Sequence, residues 1–143
     1  MIAFVVQSQP GPGGPPFDDP EKAEKIKALK VGFITEQLNL SVAESQVFWP
    51  VYNAMDDELQ AMREERKEDE KYINENMETL TDTEVSDFLE KYIKYQNREL
   101  DIRAKYHDEL KKVLPLRKVL LLYKSEMEFK LYILELVKKK KAD

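Results

Sequence analysis

From Pro20 onward the apolar residues return at alternating steps of three and four, the spacing of one face of an α-helix. The pattern divides into four stretches. The first runs from about Pro20 to Leu38: Pro20 suits a first helical turn, Glu21 suits the positive end of the helix dipole, and Ile26, Leu29, Phe33 and Ile34 form the stripe. The second begins at Ser41, where Ser41 and Glu44 have the S-x-x-E spacing by which two side chains satisfy each other's free amides at a helix start. Its stripe is Phe48, Tyr52, Met55, Leu59 and Met62, continuing to Ile73, Met77 and Leu80. Pro50 lies inside this stretch, removes one backbone hydrogen bond and should bend the helix. The third begins at Thr81 with Glu84 as its capping partner, and carries Val85, Phe88, Tyr92, Tyr95, Ile102, Tyr106, Leu110 and Val113, with Glu99 as a polar break. The fourth starts around Pro115, with Val119, Leu120, Tyr123, Met127, Leu131, Leu134 and Val137 as its stripe. Its opposite face carries Leu121, Leu122, Phe129, Ile133 and Leu136, so one neighbour cannot cover it; a second chain or a bound client could.

The short Thr79–Asp82 connection predicts that the second and third helices form an antiparallel hairpin. Equal distances from the turn then place Met77 against Val85, Ile73 against Phe88, Met62 against Glu99, Leu59 against Ile102, Met55 against Tyr106 and Phe48 against Val113. Helices of about 35 residues are ~50 Å long, which predicts an elongated molecule. Arg63 to Lys71 is an unbroken run of nine charged residues, five acidic and four basic. Such a run wraps every face, so Arg66 and Asp69 fall on the seam, opposite Tyr95 and Tyr92. The simplest reading of the run is a solvated face; the functional one is a polar rim for a binding surface.

Composition agrees with an all-α chain. After Gly32 there is no glycine, and only Pro50 and Pro115 interrupt the rest. Five of the seven prolines and three of the four glycines lie within residues 1–20, so the chain divides into a Pro/Gly tether at 1–19 and a single helical domain at 20–143. The apolar start Met1–Val6, followed by Val6-Gln7-Ser8, resembles the end of an export signal, which predicts a periplasmic protein. The 143 residues suit one domain. The net charge of −5 argues against nucleic acid, whose partners usually carry a basic face.

Candidate chemistry is sparse. There is no cysteine and one histidine, His107. Thiol catalysis and thiolate zinc sites are excluded, and the spacings of known histidine-rich metal sites are absent. Met55, Met62 and Met77 recur at helical spacing, which points to core packing rather than soft-metal ligation. Glu64, Glu65, Glu68 and Asp69 have no calcium-loop spacing. No phosphate loop or nucleophile elbow is present. Neither catalytic residues, a cofactor nor a metal is expected. The Lys138–Lys141 run suits the negative end of a helix dipole.

Two segments resemble a known family. Leu38-Asn39-Leu40-Ser41-Val42-Ala43-Glu44, followed by Phe48-Trp49-Pro50-Val51-Tyr52-Asn53, is similar to the first LTxxQ-type motif of the Spy/CpxP superfamily, in the form met in Bacteroidetes-like bacteria. Val113-Leu114-Pro115 with Lys118-Val119 resembles the second. Ser41 stands where the motif has Thr, Glu44 where it has Gln, and Leu116-Arg117-Lys118 replaces the usual end of the second motif. The resemblance implies an exported helical hairpin protein, commonly dimeric. It would act as an ATP-independent chaperone or stress adaptor on unfolded or envelope proteins. The alternative it implies is a sensor for a membrane-bound partner in sigma-factor or two-component signalling. The metal-sensing branch uses His and Cys positions that this chain lacks. Phe33, Met62 and Phe129 are the candidate client contacts.

Overall fold

Each helix starts and stops where a local side chain can satisfy the backbone. In a computed structural model describing residues 19–142, the elements are α1 (Pro20–Leu38), α2 (Val42–Asn76), α3 (Asp82–Val113) and α4 (Leu116–Ala142), with no strand among the described residues. The protein is all-α. The tether and export signal expected before Asp19 lie outside the described residues.

Asp19 caps α1 by accepting from the Glu21 amide at 3.0 Å. Asn39 ends α1 in the left-handed region at φ 47°, while the Asn39 and Leu40 amides return to the carbonyls of Glu36 and Thr35. This is the bonding pattern by which a left-handed residue closes a helix. Both expected capping boxes form. Ser41 and Glu44 exchange bonds of 3.0 and 3.1 Å, and Thr81 and Glu84 exchange two of 3.2 Å. Pro115 is the residue before α4 rather than part of its first turn; its carbonyl accepts from Lys118 and Val119.

The chain falls into two compact units. One holds α2 from Val47 together with α3; the other holds α1, the residues up to Gln46, and α4 with Leu114 and Pro115. The division falls inside α2 at Gln46, whose carbonyl is the one that Pro50, lacking an amide, leaves without its helical partner.

In the hairpin unit α2 and α3 run antiparallel. Glu58 pairs with Lys105 at 3.0 Å, Glu65 with Arg98 at 2.6 Å and Asp69 with Lys91 at 3.3 Å, while the Tyr72 hydroxyl donates to Glu84 at 3.0 Å. The buried side chains are Phe48, Tyr52, Met55, Leu59 and Met62 from α2, and Tyr95, Ile102, Tyr106 and Leu110 from α3. This register agrees with the layers expected from the turn. Nearer the turn the expectation fails. Tyr92 is exposed, as are Met77 and Val85. From Phe88 the seam advances by three to Lys91, not by four to Tyr92. Lys91 lies 5.7 Å from the centre of the Phe88 ring and reaches Asp69 with its ammonium. Tyr72 meets Phe88, with ring centres 6.0 Å apart, and Ile73 beside it is half-buried. Asn76 ends α2 by bonding back to the Tyr72 carbonyl, which places Met77 in the turn.

In the other unit the buried residues are Ile34, Leu38, Leu114, Val119, Leu122, Ser125, Phe129 and Ile133. Leu29 of the expected α1 stripe is exposed. The larger correction concerns α4. Its expected stripe is turned outward, with Leu120, Tyr123, Met127, Leu131 and Leu134 all exposed, and the face taken as the opposite one supplies Leu122, Phe129 and Ile133 to the interior. Only Val119 is buried from the expected set, and Val137 is half-buried. Ser125, a small polar residue, is also buried on α4, the helix that packs against α1.

Candidate functional site

A concavity lies between α1 and α4. Lys25, Ala28, Leu29, Gly32, Phe33 and Glu36 line it from one face of α1, and Phe129 and Tyr132 from α4; its volume is about 630 Å³. That volume falls within the roughly 300–1,000 Å³ of ligand-sized clefts. Three rings form its wall. Phe33 and Phe129 lie 5.5 Å apart at 52°, Phe33 and Tyr132 stack at 6.4 Å and 11°, and Phe129 and Tyr132 lie 6.1 Å apart. These are the separations at which aromatic pairs attract. Phe129 is 5% exposed, whereas Phe33 is half-buried, and Leu29 and Tyr132 are exposed.

Gly32 opens the groove. A glycine within a helix costs roughly 0.5–1 kcal/mol relative to alanine. Its backbone does not adopt a positive φ, and a β-carbon placed there would meet nothing within 4 Å. Neither backbone geometry nor packing demands glycine here. What a larger side chain would remove is the open space between the rings and Leu29. Lys25 and Glu36 add opposite charges to an otherwise apolar lining.

The structure brings Phe33 and Phe129 together, but not Met62. Met62 is 0% exposed in the hairpin unit, so it is closed to a client. Its helical spacing with Met55 and Leu59 carries it inward with them. Gly32, Leu29 and Tyr132 were missed as groove residues. The signal for Gly32 was present, as a lone glycine in an otherwise glycine-free helical stretch.

The two family-like segments meet around one side chain. Lys118 of the second donates from Nζ to the Asn39 carbonyl at 2.9 Å and to Glu44 Oε1 at 2.6 Å in the first. Glu44 Oε1 also accepts the Ser41 amide. The Lys118 hydrogen bond, followed by the Ser41 amide, holds the Glu44 carboxyl below its ordinary value. Lys118 therefore ties the start of α4 to the α1–α2 corner. Trp49 lies in the hairpin unit, edge-on to Phe48 at 4.8 Å and to Tyr52 at 5.5 Å. The charged run from Arg63 supplies cross-seam partners: Tyr95 donates to Asp69 at 2.5 Å, and burial followed by that hydrogen bond pushes the phenol up to about 12. Arg66 lies 3.4 Å from Glu70 through Nε, although the angle makes no hydrogen bond and that buried nitrogen has no other partner.

Among the described residues no group of three or more His, Cys, Asp or Glu side chains is placed to hold a metal. No helix among them is long and apolar enough to cross a membrane. No family model, curated protein or solved structure matches the chain.

Proposed function

We propose that this protein is an ATP-independent holding protein of the cell envelope, which shelters apolar segments of partly unfolded or partner proteins in the α1–α4 groove. The observation that carries this reading is the open aromatic groove that Gly32 helps to line. The resemblance of Leu38–Asn53 and Val113–Val119 to Spy/CpxP motifs supports the class and the envelope location.

The chemistry suits capture and release. Burying one Leu- or Phe-sized side chain contributes about 1.5–3 kcal/mol. One such anchor gives only weak binding, because association itself costs several kcal/mol in lost motion. A segment held this way leaves as soon as its own protein offers a better apolar interior. Exchange then needs no nucleotide. Leu29, Phe33 and Tyr132 supply contact area, and Lys25 and Glu36 tolerate charges flanking an apolar segment.

Light scattering from an unfolding client tests the proposal. The wild-type protein should suppress aggregation. Gly32→Leu fills the groove from a position with free space and raises helix propensity, so it should lose suppression while keeping or raising its thermal stability. No suppression by the wild type, or equal suppression by Gly32→Leu, would overturn the reading.

A further inference from the structure

We infer that the outward face of α4 is a membrane-surface site, which lays its apolar stripe on an anionic phospholipid bilayer with the helix axis parallel to the surface. This inference goes beyond the groove and does not depend on it. Leu116, Leu120 and Met127 are 69%, 70% and 68% exposed, and Tyr123, Leu131 and Leu134 are also exposed. At about 100° per residue these six side chains fall within one narrow stripe, which runs ~27 Å along the helix. A continuous apolar surface of this kind on a folded chain marks a contact site. α4 is not long and apolar enough to cross a membrane. A helix with an apolar stripe and basic flanks instead lies in the interface, its stripe at the acyl boundary and its charges among the headgroups.

The charge of α4 identifies the occupant. The chain as a whole is −5. Leu116–Ala142 holds eight basic and three acidic side chains, so this helix is +5 and the rest of the chain is −10. The basic groups sit where a lipid surface needs them. Arg117 and Lys124 flank the stripe on one side and Lys130 on the other, all exposed. The exposed Lys138–Lys141 run continues past Leu134, with Lys138 and Lys141 in line with the stripe. The stems of such side chains lie along apolar surface while their heads reach the phosphates. Two of the three carboxylates, Glu126 and Glu128, are half-buried, and Glu128 lies 3.6 Å from Lys124. Each Lys or Arg near an anionic bilayer adds to the attraction. A second copy of this helix would instead set +5 against +5.

The orientation of the bound helix follows from the same geometry. Phe129 and Tyr132 stand about 200° and about 140° around the helix from Met127, so the stripe and the groove use opposite sides of α4. Lys118 is turned from the stripe as well, its ammonium held by Glu44 and the Asn39 carbonyl, and takes no part in lipid contact. A bilayer on the stripe therefore leaves the groove open.

Vesicle flotation of the full chain tests the inference. The protein should float with vesicles of equal phosphatidylglycerol and phosphatidylcholine, and should stay behind with phosphatidylcholine alone. Binding should weaken as salt rises, because screening weakens surface attraction. Leu120→Asn with Met127→Asn leaves the charge unchanged at two exposed positions. That variant should keep its circular dichroism but bind at least about tenfold more weakly. Replacing Lys138–Lys141 by glutamine should also weaken binding at least about tenfold. Tyr123→Trp should add blue-shifted emission on the anionic vesicles and not on the neutral ones. No binding to anionic vesicles, equal binding to neutral ones, or unchanged binding by the folded asparagine variant would overturn the inference. Wild-type dimers that become monomers in the asparagine variant would assign the stripe to a second copy and overturn it too. Each of these outcomes leaves the Gly32→Leu scattering result to stand or fall separately.

Discussion

Asn39 shows how much one residue can fix. It is the only non-glycine residue with positive φ among those described, and its carbonyl receives Lys118. A β-branched side chain is strained in that region, where glycine is at ease. Asn39→Val should therefore lower unfolding stability by about 1–2 kcal/mol, and Asn39→Gly should be near neutral, as urea titration would measure. Glu44 carries a pH signature. Its folded pKa lies below the ordinary 4.5, so the stability it adds is present above that value and is lost as pH falls through the folded value. Lys118→Met removes the largest cause and should make stability fall less steeply on acidification. Tyr95 has the opposite sign: its stabilisation is complete below the ordinary phenol value of 10 and fades as pH rises toward about 12. Tyr95→Phe should cost about 1 kcal/mol near neutrality and flatten the alkaline limb. The Ser41–Glu44 and Thr81–Glu84 caps were legible in the sequence because each joins residues three apart, whereas the left-handed Asn39 was not read there. Nor was Lys118, because its partners lie far away along the chain.

At the scale of elements, the α2–α3 pairing was legible as far as turn geometry could carry it. Leu59, Ile102, Met55 and Tyr106 are buried as equal distances from the turn require. Leu59→Ala should cost about 2–5 kcal/mol in chemical denaturation, since it removes a buried side chain from the centre of the seam. The pattern misled at Tyr92 because a helix admits a next step of either three or four. The choice of Lys91 rests on Asp69 from the other helix. In α4 periodicity could not decide at all. Apolar residues occupy two faces, and Leu122, Phe129 and Ile133 win the interior over Leu120, Met127 and Leu131. Only tertiary packing chooses between two such faces. The same logic makes Gly32 informative. Gly32→Ala should raise stability by about 0.5–1 kcal/mol, read as a shift in the thermal midpoint, because neither backbone nor packing needs glycine there.

At the scale of the whole molecule, the proposed holding function rests on the aromatic groove between α1 and α4. Two of the eight groove residues, Phe33 and Phe129, were named from the sequence as client contacts. The groove itself required coordinates, because α1 and α4 meet only in the fold. Met62 shows the limit of choosing contact residues by type: methionine adapts to partners and cores alike, and here the core takes it. The holding claim makes a spatial demand that aggregation assays do not. Amide hydrogen exchange of the full chain, with and without a permanently unfolded cysteine-blocked protein, meets that demand. Slowing should appear in α1 from Lys25 to Glu36 and in α4 around Phe129–Tyr132, and should vanish in Gly32→Leu. Binding with slowing only in the α2–α3 hairpin, or unchanged in Gly32→Leu, would contradict the account.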